Sequence, residues 1–325
     1  MPARIVCLSP YSKEQVEGLF AGHHAVDVVT VPDPPAPEAV LRGCSMAELV
    51  IADKRHKHRL PREVLEQMRR CLLIQMPAVG FDVIDHRAAA EFDIAVANSA
   101  GYNRDGVADW TVMAILNLVR RGSWGDRRVR EDGWPKPEMM GHELAALTVG
   151  IVGLGNVGSA LATRLLAFGP RVVYADIVQK SFTGVEHVPF VDLLDLADVV
   201  CVHVPLDQTT HHMIDTAALE RMRKGAFLVN ASRGPVVDEK ALIDALESGH
   251  LGGAGLDVFE QEPTPADNPL RHMENVFLSP HMAGFTVEAE ARALEIIRDN
   301  LTRVLDGKEP FNVVNGVRLG ARLGR

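Results

Sequence analysis

The chain has 325 residues, of which 47% are hydrophobic and 24% charged, so it can form two globular domains and is neither disordered nor collagen-like. Acidic residues outnumber basic ones and leave a formal net charge of −9, which does not favour nucleic acid or an anionic membrane as a partner. No apolar run is long enough to span a bilayer, which excludes a helical membrane protein.

The first hundred residues alternate short apolar runs with helical patterns, which is typical of βαβ units and a parallel sheet. A proline-rich stretch at residues 31–37 interrupts the pattern and predicts a loop. Five strands are predicted in this part, at residues 4–8, 26–31, 49–52, 71–76 and 94–97.

The amino-terminal stretch and the cysteines predict a cytoplasmic protein. The first residues read as a strand and lack the apolar core and cleavage site of a signal peptide. No C-x-x-C spacing occurs, so we interpret all four cysteines as buried free thiols in a reducing compartment: Cys7, Cys44, Cys71 and Cys201.

The rest of the chain predicts a second α/β module between two long helices. The helices are predicted at residues 105–121 and 286–305, and the second begins directly after the module ends. Six further strands are predicted at residues 148–152, 171–175, 199–204, 226–230, 253–258 and 275–278. The fold class is therefore α/β, with two doubly wound parallel sheets.

A glycine-rich motif follows the first strand of the second module. Gly153, Gly155 and Gly158 form G-x-G-x-x-G, and a helix is predicted from residue 159. Gly153 permits the tight turn, Gly155 lets a pyrophosphate approach the backbone, and Gly158 lets the helix pack on the strand. Together with Asn156 and Val157, these residues are the candidate dinucleotide-binding loop.

An acidic residue ends the next strand and indicates which dinucleotide is bound. Asp176 lies 18 residues after Gly158, where a carboxylate accepts hydrogen bonds from ribose hydroxyls and repels a 2′-phosphate. No arginine follows at residues 177–180. The sequence therefore predicts NAD rather than NADP.

Three residues that suit the reduction of a 2-oxo acid follow three predicted strands of the second module. They are Arg233, Glu262 and His281, and the carboxyl ends of parallel strands share one rim of a sheet. A guanidinium binds a carboxylate in bidentate fashion, an imidazolium delivers a proton, and a nearby carboxylate stabilises the charged imidazole.

With these residues in view, the chain resembles the NAD-dependent D-2-hydroxyacid dehydrogenase family over nearly its whole length. The resemblance rests on Gly153–Gly158 with Asp176, on His203-Val204-Pro205-Leu206 with Thr210, on Asn230-Ala231-Ser232-Arg233-Gly234, on Gly255-Leu256-Asp257-Val258-Phe259 with Glu262-Pro263, and on Ser279-Pro280-His281-Met282-Ala283-Gly284.

The resemblance implies a role for each matched residue. His281 becomes the general acid and base, Glu262 its partner, and Arg233 the substrate anchor. The remaining matched positions are implied cofactor or substrate contacts. Ala231 and Asp257 are expected at the nicotinamide, Pro205 and Thr210 along the dinucleotide, and the backbone N–H groups of Val79 and Gly80 at the substrate carboxylate.

The resemblance also implies the domain order. A Rossmann cofactor domain at residues 101–285 is inserted into a flavodoxin-like substrate domain formed by residues 1–100 and 286–325. It further implies a homodimer built on the region after Gly101, and a small 2-oxo or 2-hydroxy acid as the partner molecule.

Several alternatives stay open. The basic run at residues 54–59 either attracts an anionic substrate or cofactor or is a solvated loop. The side chain of the substrate acid is undetermined, and formate or phosphite oxidation belongs to the same superfamily. A non-catalytic NAD-binding sensor or corepressor uses the same fold. No metal site is predicted, because His142-Glu143 lacks the second histidine of a zinc motif.

Overall fold

The computed structural model describes residues 2–31 and 37–323 of the chain. The chain forms two compact units: residues up to Tyr102 join those from Val287 onward, and Asn103–Thr286 form the second unit. The loop predicted at residues 31–37 falls largely on residues 32–36, which lie outside the described residues. Among the helices described, none has both the length and the apolar character needed to cross a membrane.

The first unit contains a parallel sheet in the order β2-β1-β3-β4-β5. Alternate residues point to opposite faces, so Val50 and Ile74 belong to one apolar core, whereas Leu49 and Leu73 belong to another that also contains Ile297. The strands are β1 (Ala3–Cys7), β2 (Val26–Thr30), β3 (Leu49–Ile51), β4 (Leu73–Gln75) and β5 (Ala95–Ala97). The helices are α1 (Lys13–Gly18), α2 (Pro37–Cys44), α3 (Arg62–Leu65), α4 (His86–Glu91) and α11 (Val287–Leu305), with a 3-10 turn at Gly320–Arg322.

The second unit contains a parallel sheet in the order β12-β11-β10-β9-β6-β7-β8. The strands are β6 (Thr148–Val152), β7 (Arg171–Ala175), β8 (Val185–His187), β9 (Val199–Val202), β10 (Phe227–Asn230), β11 (Gly253–Leu256) and β12 (Val276–Leu278). The helices are α5 (Arg104–Arg120), α6 (Gly122–Arg130), α7 (Asn156–Phe168), α8 (Phe190–Leu196), α9 (Thr216–Arg221) and α10 (Glu239–Glu247). Turns of 3-10 type lie at Pro137–Met139, Leu144–Ala146, Gly234–Val236 and Pro269–His272.

Helices cover both faces of this second sheet. Leu118 of α5 and Leu161 of α7 belong to one apolar core, and Leu193 of α8 and Leu242 of α10 belong to the other. Burial on both faces explains why these strands read as continuous apolar runs in the sequence.

The prediction of two parallel α/β sheets is confirmed, but some boundaries differ. The runs predicted at 199–204 and 253–258 leave the sheet after Val202 and Leu256, because the apolar residues beyond them form loops at the carboxyl edge. The edge strand β8 (Val185–His187) was not predicted, since three residues that include a glutamate and a histidine give no apolar run.

Candidate active site

Three glycines shape the loop between β6 and α7. Gly153 has a φ of 95°, and a Cβ there would meet the carbonyl oxygen of His203 at 2.6 Å. A Cβ on Gly158 would lie 2.1 Å from the carbonyl oxygen of Gly153, so helix and loop are in direct contact. By contrast, a Cβ added to Gly155 has no neighbouring atom within 4 Å. The loop is therefore tightly packed at Gly153 and Gly158 and open at Gly155, as the close approach of a phosphate requires.

Asn156 and Val157 form the first turn of α7, which begins three residues earlier than predicted. The helix starts there because Gly155 adopts an extended conformation at the N-cap position. Gly155 provides no side-chain cap, which leaves the first N–H groups of the helix to bind an anion. This arrangement fits the pyrophosphate of a dinucleotide.

Asp176 connects the end of β7 to the glycine-rich loop. Its Oδ2 accepts a hydrogen bond from the N–H of Leu154 at 2.7 Å, and its Oδ1 accepts one from the N–H of Val178 at 2.9 Å. Each oxygen retains a lone pair, so the carboxylate can still accept hydrogen bonds from ribose hydroxyls. Sequence reasoning missed Lys180, whose ammonium lies 3.9 Å from Oδ2 of Asp176.

The loop after β9 brings Pro205 and Thr210 together. The Thr210 hydroxyl donates to the carbonyl of Pro205 at 2.7 Å and accepts from the N–H of Asp207 at 2.8 Å. His203 begins this loop, and burial lowers its pKa to about 4. This histidine is therefore neutral near pH 7 and adds no charge beside the glycine-rich loop.

His281 and Glu262 form a hydrogen-bonded pair at the carboxyl edge of the second sheet. Nδ1 of His281 lies 2.6 Å from Oε2 of Glu262. The second carboxylate oxygen, Oε1, accepts the N–H of Phe259 at 3.1 Å, which fixes the carboxylate in place. The side chains of the pair are 45% and 36% exposed, so a small molecule can reach the imidazole.

The surroundings of Glu262 favour its charged form. Burial alone raises the pKa of this carboxyl, but the hydrogen bond and charge of His281, the N–H of Phe259 and the charge of Arg233 outweigh it. The net result is a lowered pKa. Glu262 is therefore an anion near neutral pH, which is the form that stabilises an imidazolium.

Arg233 reaches this pair because two loops are in backbone contact. A Cβ on Gly234 would lie 1.9 Å from the carbonyl oxygen of Phe259, so the loop after β10 packs directly against the loop after β11. The Arg233 guanidinium donates to the carbonyl of Ser232 at 2.8 Å and is close enough to lower the pKa of Glu262. The structure thus brings all three predicted residues to one edge.

Asp257 holds the loop that carries His281. Its buried carboxylate accepts the Ser279 hydroxyl at 2.5 Å and the N–H groups of Met282 and Ala283 at 2.8 and 2.7 Å. Its backbone carbonyl accepts the N–H of His281 at 2.8 Å. His281 adopts a left-handed φ of 52°, and these bonds stabilise that conformation.

Two asparagines that were not predicted as site residues support the same edge. Buried Asn230 donates from Nδ2 to the carbonyl of Arg233 at 2.9 Å and accepts the N–H of Ser232, which shapes the arginine turn. Asn103 makes no capping bond at the start of α5, and its amide lies against Gly284. A polar residue that ends an otherwise apolar strand was the available sequence signal for Asn230. Ala231 follows it and is half-buried.

In the first unit, Val79 and Gly80 lie on the loop after β4. The amide of Asn98 donates to the carbonyl of Val79 at 2.8 Å, and the N–H of Ser99 donates to the carbonyl of Ala78 at 3.1 Å. These bonds fix the loop, and carboxylate binding by Val79 and Gly80 stays a prediction.

The basic run of the first unit is organised around one buried acid. The fully buried carboxylate of Asp53 accepts Nδ1 of His58 at 2.6 Å, Nε of Arg55 at 3.1 Å and the N–H of Lys57 at 3.2 Å. Lys54 is 2.6 Å from Glu290. These bonds give the run a structural role that the sequence pattern did not reveal.

Comparisons with a family model, with related proteins and with a solved structure identify what the chain is similar to. Residues 112–283 match the family model "D-isomer specific 2-hydroxyacid dehydrogenase, NAD binding domain". A glyoxylate reductase of Korarchaeum cryptofilum is 38% identical over 304 residues, covering 90% of each chain. An (S)-sulfolactate dehydrogenase of Chromohalobacter salexigens is 38% identical over 81% of this chain and 86% of its own length.

A solved structure with bound ligands has the same fold. The D-lactate dehydrogenase of Aquifex aeolicus, complexed with NAD and lactic acid, superimposes with a TM-score of 0.85 at 29% identity. The match covers 96% of this chain and 99% of that one.

Proposed function

The chain belongs to the D-isomer specific 2-hydroxyacid dehydrogenase family, and on this premise we propose that Arg233, Glu262 and His281 carry its reaction. The enzyme is an NAD-dependent oxidoreductase that interconverts a 2-hydroxy acid and its 2-oxo acid. The observation that supports the residue assignment is the 2.6 Å contact of His281 with Glu262 in a loop cluster that also carries Arg233.

His281 exchanges the proton of the reaction. Its Nδ1 faces Glu262, so its Nε2 is the nitrogen that donates to the carbonyl oxygen in reduction and accepts from the hydroxyl in oxidation. The anionic Glu262 stabilises the imidazolium that must exist before proton donation and after proton removal. NAD, when bound, supplies or accepts the hydride.

Arg233 binds the carboxylate next to the reacting carbon. A guanidinium presents a planar fork of N–H donors that matches a carboxylate in two parallel hydrogen bonds and polarises the neighbouring carbonyl. The first unit adds the backbone N–H groups of Val79 and Gly80 as proposed carboxylate donors. Residues 1–100 with 286–325 are accordingly the proposed substrate domain.

The dinucleotide is assigned to residues 101–285. The helix α7 amino terminus supplies N–H donors to the pyrophosphate, and the Asp176 carboxylate accepts the ribose hydroxyls. The residues proposed to hold NAD are Gly153, Gly155, Asn156, Val157, Gly158, Asp176, Pro205, Thr210, Ala231 and Asp257. We propose a second role for Asp257, because its hydrogen bonds to the loop that carries His281 position this general acid and base.

Removing the imidazole tests this assignment. We expect His281→Ala to lower kcat by about 100-fold or more, because general acid–base catalysis contributes factors of that order, while the Kd for NADH changes little. The measurements are NADH oxidation with a panel of 2-oxo acids of graded size, which also identifies the substrate, and NADH binding by fluorescence. Comparable losses in kcat and binding would contradict the role. Tight NADH binding with no 2-oxo acid reduced by the unsubstituted enzyme would instead indicate a sensor.

Assembly and compartment follow as further proposals. The exposed apolar residues Trp134 and Met140 lie in the region after Gly101 where we propose a homodimer contact. The free cysteines are buried, and burial raises the pKa of Cys7 to about 11, which makes this thiol unreactive. Buried free thiols are typical of a reducing compartment, and we propose the cytoplasm. Light scattering of the purified protein tests the dimer.

A further inference from the structure

A lysine occupies the ribose end of the dinucleotide-binding loop. Nζ of Lys180 donates a hydrogen bond to the carbonyl of Leu154 at 2.6 Å and lies 3.9 Å from Oδ2 of Asp176. Lys180 lies four residues after Asp176 in the sequence, and its side chain folds back to the glycine-rich loop and to Asp176 at the end of β7. Sequence spacing did not indicate this, because the residues between them form no helix.

The backbone of Lys180 is fixed by a buried tyrosine. The Tyr174 hydroxyl donates to the carbonyl of Lys180 at 2.5 Å and accepts its N–H at 2.9 Å. Tyr174 lies in β7 and is fully buried. The sheet thus fixes the backbone of Lys180, and the bond to the Leu154 carbonyl holds its ammonium beside the loop.

We propose that Lys180 is a second determinant of cofactor choice, which lets the enzyme bind NADPH as well as NADH. The proposal rests on the assignment of Asp176 to the ribose. An unopposed carboxylate there repels a 2′-phosphate, and a cation nearby accommodates one. With the ammonium 3.9 Å away, the net charge of the pair is zero, and the repulsion is largely offset.

The ammonium has the means to bind a phosphate directly. It carries three N–H donors, and the carbonyl of Leu154 takes one of them. The Lys180 side chain is 42% exposed, whereas that of Asp176 is 13% exposed. An incoming phosphate can therefore reach the cation more easily than the anion.

Calorimetric titration of two probes tests the proposal without turnover: 2′,5′-ADP, which carries the 2′-phosphate, and 5′-AMP, which differs from it only by lacking that group. We expect Lys180→Met to weaken the binding of 2′,5′-ADP by about three- to fivefold and that of 5′-AMP by less than about twofold, as is typical of one partly exposed charge contact. Lys180→Arg keeps the charge and should keep 2′,5′-ADP binding. Lys240→Met is the matched control, since Lys240 is an exposed lysine of the same unit that pairs with Asp244 on α10.

A double-mutant cycle with Asp176→Asn separates the two charges. Asp176→Asn should strengthen 2′,5′-ADP binding only slightly while Lys180 is present, because the ammonium already offsets the carboxylate, and should strengthen it more in the Lys180→Met background. In steady-state kinetics, Lys180→Met should raise the KM for NADPH by about the factor by which it weakens 2′,5′-ADP binding, and should change the KM for NADH little.

Three results would overturn the proposal: failure of the unsubstituted enzyme to bind 2′,5′-ADP, no effect of Lys180→Met, or equal losses for both probes, which would make Lys180 a brace of the loop. Probe binding is independent of the reaction, so an enzyme that binds both probes but reduces no 2-oxo acid would refute the proposed reaction and leave this inference standing.

Discussion

Glu262 shows how one side chain links the stability of the site to its chemistry. Its carboxylate pairs with His281 and accepts the N–H of Phe259, and its pKa is lowered because these contacts and the charge of Arg233 outweigh burial. A lowered pKa in the folded protein means that the anion stabilises the fold above the ordinary pKa of a glutamate. That contribution is lost as the pH falls through the lowered value.

Replacing this carboxylate should therefore affect both rate and pH profile. We expect Glu262→Gln to lower kcat by about 100-fold, because the imidazolium loses its counter-charge. The acid-side loss of kcat that reports protonation of Glu262 should also disappear. Both are measured by 2-oxo acid reduction between about pH 3 and 8, a range that extends below the ordinary pKa of a glutamate.

A second histidine–glutamate pair provides the control for this substitution. Oε1 of Glu260 lies 2.7 Å from Nε2 of His212, outside the proposed site but in the same unit. Glu260→Gln should leave kcat and the profile nearly unchanged. Equal effects of the two substitutions, or an unaltered profile for Glu262→Gln, would show that the pairing has no catalytic part.

At the residue scale, the sequence predicted the charged residues that follow strands, but it did not predict the residues that hold the loops in place. Arg233 and His281 stand just beyond predicted strands, so their shared edge follows from parallel topology. The roles of Asp53 and Lys180 depend on loops that fold back on themselves. No periodic pattern encodes such returns, and only the three-dimensional path of the backbone reveals them.

The loop after β12 is the element on which the position of His281 depends. Ser279 donates its hydroxyl to the buried carboxylate of Asp257 at the start of this loop. We expect Ser279→Ala to cost about 1.5–3 kcal/mol of stability, since a hydrogen bond to a charged group is lost. Catalysis should fall about tenfold in kcat, because the imidazole is less firmly oriented, while KM changes less.

A conservative replacement distinguishes positioning from simple destabilisation. Ser279→Thr keeps the hydroxyl and should restore kcat, as measured together with thermal unfolding of both variants. If Ser279→Ala loses stability but keeps kcat, the hydrogen bond supports only the fold.

The loop at residues 53–58 is stabilised by a carboxylate instead of by apolar contacts. Burial raises the pKa of Asp53, but the hydrogen bonds from His58 and Arg55 outweigh it and lower the pKa overall. We expect Asp53→Asn to destabilise the protein by about 3 kcal/mol near pH 7, as breaking a buried charged network does. Urea unfolding gives this value.

The pH dependence of that difference has a definite sign. A lowered pKa gives stability that is present above the ordinary aspartate value and is lost as the pH falls through the folded-state value. The gap between the two proteins should therefore narrow below about pH 4. Asp126→Asn, which alters an exposed pair with Arg130, should show little effect at any pH. A gap that widens in acid would contradict the account.

At the scale of elements, apolar periodicity was sufficient to predict the buried strands but not the strand at the edge of the second sheet. Residues 148–152 and 171–175 were predicted with the observed bounds because both are covered on each face. The edge strand Val185–His187 pairs on one side only and contains polar residues, so hydrogen bonding to β7 defines it.

Over the whole molecule, each unit has apolar cores of its own. The clusters around Leu161 and Leu228 belong to the second unit, and those around Ile5 and Ile74 belong to the first. A protein with separate cores need not unfold in one step.

Calorimetric unfolding with and without NADH tests this division. We expect two transitions, of which only one rises with NADH, because the ligand stabilises the unit that binds it by about 2.7 kcal/mol at 100 times its Kd. A single transition that shifts as a whole would show that the units unfold together. ADP-ribose, which lacks the nicotinamide, serves as the control and should shift the same transition.

The backbone contact at Gly234 has a consequence for how this enzyme can be altered. No side chain fits between this residue and the Phe259 carbonyl, so the turn that carries Arg233 and the turn that leads to Glu262 are in direct backbone contact. A substitution that moves the backbone of Arg233 is therefore expected to move Glu262 as well, and with it the carboxylate that pairs with His281. Substitutions intended to change the substrate range are better placed in parts of the chain that do not take part in this backbone contact.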